Sequence, residues 1–342
     1  MPSSRIILIT ALLVISAFAQ TAFARDNAAL VIYSGRSDKF VKPVIKHFTE
    51  KTGIKVILHT AKSTALLNKL RAEGARTEAD LYLSNDAGNL QIGADMGLFK
   101  AIPENIAGVI PKNLRAPDNS WIGLSARSRV LVINTNSDNT HFIKSIFDLA
   151  DPRLKGRLGI THSSNESFIA GTTVYLESKG EAKTRAWLNG IKINSDGEAF
   201  NKHSKIVAAV AKGRKDVGLV NHYYIYRHLD KSPNSPIRIV IPDQASSQNS
   251  DAMGVAWNVA GIAISKYSKK VAQAEKLVEF LISTEGQKLF AKLNREYPTR
   301  EDAATAAEIA PLNTIKVADV PMSSLGRLRN KTLDLIEAVG LP

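Results

Sequence analysis

Between residues 29 and 96 the chain alternates a short apolar run with an amphipathic stretch three times over, and that alternation leaves few folds open. Ala29 to Tyr33, Ile54 to His59 and Ala79 to Leu83 read as buried strands. Phe40, Val41, Val44, Ile45 and Phe48 recur at helical spacing, with Gly53 placed to end that helix in the left-handed region. Ser63 is the expected cap of a helix carrying Leu66, Leu67 and Leu70, and a third helix is expected from about Asp86 to Met96. Strand and helix in strict alternation require a parallel sheet with helices packed on its faces. The fold class is therefore α/β.

The alternation then breaks at Pro103, Pro111 and Pro117. Residues 121–134 read as one long extended segment, long enough to pass between two lobes. A second α/β unit follows, with a helix near Ile143 to Leu149, a strand Leu158 to Thr161, and helices over Phe168 to Ser178, Lys183 to Leu188 and Lys205 to Lys212. Strands are expected at 217–220 and 237–241, and Val255 to Ile264 is apolar enough to return the chain to the first lobe. Three amphipathic helices close the sequence, the last near Ser323 to Val339. Two lobes joined by extended crossovers make a hinged clamp, with its ligand in the cleft between them. The predicted division is 25–127 plus 254–304 for the first lobe and 128–253 plus 305–342 for the second.

Residues 1–24 read as a signal peptide: Arg5, an apolar run from Ile6 to Ala19, and Ala22-Phe23-Ala24 as the cleavage pattern. The chain has no cysteine, which removes disulfides, thiolate metal sites and a lipid anchor on a terminal Cys. An exported chain of this kind suits a bacterial periplasm. With 44% hydrophobic and 23% charged residues it is not disordered. Net charge is +13, and removing Arg5 with the leader leaves about +12. Such a charge concentrates anionic ligands. The Lys and Arg are scattered and form no nucleic-acid motif, so no nucleic-acid partner is expected.

Tyr223 and Tyr224 directly follow the apolar run Val217, Gly218, Leu219, Val220. They thus fall at a strand's carboxyl end, where open α/β sheets bind ligands. Phenolate oxygen is a hard anionic donor suited to a hard, highly charged cation such as ferric iron. A free phenol, with a pKa of about 10, keeps its proton unless such a cation binds. The same two rings would equally serve as core packing at the start of a helix. Of seven histidines (His47, His59, His141, His162, His203, His222 and His228) none forms a zinc-protease pair. His162 and His203 could reach the cleft from loops, with exposed polar positions as the default expectation. His222 adjoins Tyr223, but neighbours at a helix start diverge. No nucleophile elbow and no phosphate-cradling loop is present, so no enzyme is expected.

In order along the chain, several segments resemble the ferric-iron-binding periplasmic proteins of bacterial ABC importers, the bacterial transferrins. They are residues 30–36 (Leu-Val-Ile-Tyr-Ser-Gly-Arg), 48–56 (Phe-Thr-Glu-Lys-Thr-Gly-Ile-Lys-Val), 71–74 (Arg-Ala-Glu-Gly), 79–83 (Ala-Asp-Leu-Tyr-Leu) and 97–99 (Gly-Leu-Phe). They continue with 123–130 (Gly-Leu-Ser-Ala-Arg-Ser-Arg-Val), 149–157 (Leu-Ala-Asp-Pro-Arg-Leu-Lys-Gly-Arg), 163–166 (Ser-Ser-Asn-Glu), 221–224 (Asn-His-Tyr-Tyr) and 296–298 (Glu-Tyr-Pro). The resemblance covers essentially the whole chain. It implies a two-lobe periplasmic solute-binding protein fold with a hinged interlobe cleft. It implies a monomeric receptor that captures Fe3+ and hands it to the ABC permease of the inner membrane. Tyr223 and Tyr224 match the family's iron-binding tyrosines. Arg127 lies in the segment that supplies a synergistic-anion arginine in some members, and Ser164 and Asn221 match residues that hold a phosphate or carbonate beside the metal.

The chain departs from the pattern at three positions. Ser37, Asn85 and Ser167 stand where various members place a His, a carboxylate and a third Tyr. Asp86 and Glu166 lie next to two of these and are candidate cleft residues, as are Tyr33 and Arg36; a tyrosine at position 33 is more often structural in the family. A citrate-like chelator would supply the missing oxygens. The alternative is that iron ligation is lost and the cleft binds an organic or phosphorylated anion through Arg127, Arg36, Ser164 and Asn221.

Overall fold

The computed structural model describes residues 29–245 and 251–342. The leader and its cleavage site lie outside them. The first three strands form as the alternation requires: β1 (Leu30–Ser34), β2 (Val56–Thr60) and β3 (Leu81–Ser84), with β2 and β3 flanking β1, both parallel to it. Helix α1 (Asp38–Thr52) buries Phe40, Val41, Val44, Ile45 and Phe48 and ends at Gly53 with φ 72°. Helix α2 (Ser63–Glu73) is not capped by Ser63. That residue is already helical and buried, and its hydroxyl donates to Asn85 Oδ1 at 2.7 Å. The tie to the next βα loop outcompetes local capping. Helix α3 (Ala87–Asp95) is capped by Asp86, and β4 (Phe99–Lys100) follows it.

The extended segment is one strand, β5 (Ile122–Asn134), buried over all 13 residues. Its partners change halfway. Residues 122–128 pair with β10 (Trp257–Ser265), and Ser125 and Ala126 also with β11 (Tyr297–Pro298). From Arg129 onward it pairs with β8 (Val217–Asn221) and β9 (Ile237–Val240). Strand β10 returns antiparallel to β3, and β6 (Leu158–Thr161) lies between β8 and β7 (Ala199–Phe200), parallel to both. The sheet order β2-β1-β3-β10-β5-β8-β6-β7 therefore runs through both lobes across one shared strand.

Two helical expectations are corrected. The stretch around Ile143 to Leu149 holds only a 3₁₀ turn, Ile146–Ala150, with a Ser145/Asp148 capping box; Asp151 before Pro152 is extended and stops it. The two helices expected between 168 and 188 belong to one element, α4 (Glu166–Ser195), kinked at Gly180 with φ 78°. Helices α5 (His203–Ala211) and α6 (Tyr223–Leu229) flank β8 in sequence. Helices α7 (Val271–Ile282) and α8 (Thr284–Asn294) pack on the first lobe, and α9 (Arg329–Val339) packs on α4. No described helix is long and apolar enough to cross a membrane.

Gly254 marks the re-entry into β10. Its φ is +90°, and a Cβ there would lie 2.5 Å from the Val317 carbonyl carbon. Gly254→Ala should lower stability by about 3 kcal/mol, through backbone strain plus overpacking. Urea unfolding of the variant against the parent measures it; an unchanged midpoint contradicts this account of the crossover.

Candidate functional site

Strand β8 is fully buried and delivers Asn221, His222 and the two tyrosines to the junction of the lobes. Tyr223 and Tyr224 are neighbours in space as well as sequence, with ring centroids 4.5 Å apart. Tyr223 packs edge-on against Phe40 of α1 at 5.9 Å, and the Arg227 guanidinium lies over both rings. Tyr224 stacks on His203 of α5 at 5.0 Å. The pair is thus clasped by one helix from each lobe rather than sunk in a single core. Burial, and then the neighbouring Tyr223, raise the Tyr224 phenol above its ordinary pKa, so it holds its proton at neutral pH.

Arg127 and Arg129 occupy alternate positions on β5 and so share one face of it. Arg129 stands directly opposite Asn221 in the ladder, and its Nη1 donates to Asn221 Oδ1 at 3.0 Å. Asn221 in turn donates through Nδ2 to Ser167 Oγ at 3.2 Å and to the Tyr223 hydroxyl at 3.3 Å. Both arginines are buried, yet Arg127 Nη1 and Arg129 Nε and Nη2 meet no protein acceptor. Burial draws Arg129 down to about 10 and lowers Arg127 as well, so Arg129 remains cationic at neutral pH. Unanswered N–H donors on buried cations fit an oxyanion beside the phenols.

The other sequence-predicted residues divide. Ser164 lies in an exposed turn before α4; the serine joined to Asn221 is Ser167. Arg36 is committed to Glu296 by two bonds of 2.7 and 2.8 Å and also donates to Ser125 Oγ at 2.9 Å. Asp86 is fully buried and occupied: it caps α3, accepts from Asn89 and Asn258, and pairs with Arg329 at 3.2 Å. Glu166 is half-buried, its carboxyl pKa raised by burial and then by the charge of Asp86. Tyr33 is not a cleft residue: it is buried, donates to Glu73 Oε2 at 2.8 Å and lies under Lys69. Among the described residues no cluster of three His, Cys, Asp or Glu is placed to hold a metal.

Sequence reasoning missed Arg129, Ser167 and His203. The two-residue spacing of Arg127 and Arg129 on a strand was a usable signal for the first. His203, expected on an exposed loop, is the first residue of α5 and only 5% exposed. Burial, then Arg129 and Arg127, hold its pKa far below the ordinary value. His222 is buried too, with Nδ1 accepting from the Ser128 N–H and Nε2 2.6 Å from the Arg295 carbonyl, so both ring nitrogens are spent on the scaffold.

Glu296→Ala would strand Arg36 as a buried, unpaired cation. A loss of about 3–5 kcal/mol is expected, read by urea unfolding, and most of it should return in Arg36→Met combined with Glu296→Leu. A single variant as stable as the parent would show that the pair is not structural.

Residues 44–316 match the model of a family described as bacterial extracellular solute-binding protein. Iron uptake protein A1 of Synechocystis sp. is 31% identical over 305 residues, 88% of this chain and 84% of that protein. The major ferric iron-binding protein of Neisseria meningitidis is 28% identical over 331 residues, 95% of this chain and 97% of that one. A Trichodesmium protein solved in complex with iron and citrate ligands superposes with a TM-score of 0.81 at 29% identity, covering 92% of this chain and all of that one.

Proposed function

The chain belongs to the bacterial extracellular solute-binding protein family, and from that premise we propose that it is a periplasmic receptor that captures ferric iron and delivers it to an ABC importer of the inner membrane. The observation that carries the reading is the adjacent Tyr223–Tyr224 pair between the lobes, beside two buried arginines with unanswered N–H groups. A trivalent cation offsets the cost of ionising two buried phenols. Two phenolates leave one positive charge, which an anion completes. Arg127 and Asn221 hold that anion, carbonate, phosphate or a citrate-like chelator, by charge-assisted hydrogen bonds. Ser164 is too exposed for a primary part, and Ser167 takes its place beside Asn221.

The lobes on this reading are 25–127 plus 254–304 and 128–253 plus 305–342, flexing where β5 changes partners. Closure brings Phe40 over the tyrosines and excludes water; opening against the permease releases the cargo unchanged. The receptor works as a monomer. The organic-anion alternative is less supported, because matching relatives over most of the chain are iron uptake and ferric iron-binding proteins.

Purified mature protein given ferric citrate should develop a visible phenolate-to-iron charge-transfer band. Tyr223→Phe or Tyr224→Phe should weaken ferric binding by roughly a hundredfold, about 2.8 kcal/mol, and bleach the band. A colourless parent protein refutes the reading. Arg127→Gln should keep the band's origin but weaken binding by about tenfold or more, measured by competition with a chelator; unchanged affinity removes Arg127 from the anion site.

A further inference from the structure

Two phenolates are few donors for a ferric ion, and the carboxylates nearby are engaged: Glu296 with Arg36, Asp86 with Arg329 and two amides, and Glu166 with the Asn85 side chain. Two imidazoles lie beside the pair. Both ring nitrogens of His222 are used by the backbone. His203 differs: it is 5% exposed, its ring is stacked on Tyr224 with planes 26° apart, and the Leu219 backbone engages one ring nitrogen at most, without a close hydrogen bond. A buried imidazole with an idle nitrogen is rare in a settled core, and imidazole is an ordinary donor to iron.

We infer that His203 supplies an imidazole nitrogen to the ferric ion held by Tyr223 and Tyr224, an inference that rests on the iron-binding reading above. The protein's donor set is then two phenolates and one imidazole. All three stand on the helices α5 and α6 that flank β8 in sequence, so the second lobe ligates the metal by itself. The first lobe contributes cover, through Phe40, rather than a ligand. Ser37, Asn85 and Ser167 then need no replacement from their own neighbourhoods.

The test is pulsed EPR on mature protein loaded with ferric citrate, a chelate without nitrogen. The expected spectrum shows the modulation of a coordinated imidazole's remote nitrogen, altered by ¹⁵N-histidine and lost in His203→Ala. The variant should also lose iron to a competing chelator on the order of tenfold faster or more. His203→Asn, smaller but polar, serves if the alanine variant fails to fold. A charge-transfer band without imidazole modulation, or modulation that persists in the variant, overturns the His203 assignment and leaves the tyrosine reading intact. No band in the parent overturns both.

Discussion

Two guanidinium groups buried side by side on one strand set the terms for the rest of the site. Removing such charges from water costs several kcal/mol per ion unless opposite charge answers them. Elsewhere this chain answers its buried cations with carboxylates, as at Arg36–Glu296 and Arg329–Asp86. Among the described residues Arg127 and Arg129 have no such ion pair; the Tyr223 phenol acts on both, with Glu296 and Asp86 acting at longer range on Arg127 and the Tyr175 phenol on Arg129. On the proposed reading iron and anion together resolve that imbalance: the metal makes the phenols anions, and the anion meets the remaining N–H donors. The same positive field disfavours bare cation entry, which explains why binding metal and anion as a unit suits this cleft.

Strand β5 makes that chemistry mechanical. Among the described residues it is the one strand whose first half belongs to one lobe's ladder and whose second half belongs to the other's. Arg127 and Arg129 bracket the change of partners, so on the proposed reading the anion arms sit where the lobes flex rather than on either rigid body. Asn221, opposite Arg129, ties the arms to Tyr223 and to Ser167 at the head of α4. A ligand that engages this network is therefore felt where the lobes articulate.

Much of this was legible in the sequence because periodicity is local. The βα alternation, the long crossover and the placement of Tyr223 and Tyr224 after a buried strand all follow from short continuous runs, the crossover at residues 121–134 being the longest of them. What failed depended on distant partners. Ser63 looked like a cap until Asn85 took its hydroxyl. Tyr33, at the end of β1, turns away to Glu73. Ser164 and Ser167 are indistinguishable as serines; only the entry angle of α4 decides which meets Asn221. His203 is buried by the stacking of Tyr224 from another helix, which no spacing rule encodes.

On the proposed reading Tyr223 and Tyr224 surrender their protons to a trivalent metal. Resonance Raman spectroscopy of the ferric-loaded protein, excited within its visible band, reads that state directly. Ring and C–O vibrations of iron-bound tyrosinate, diminished in each single phenylalanine variant, are the predicted result. Bound iron whose spectrum carries no tyrosinate modes would contradict it.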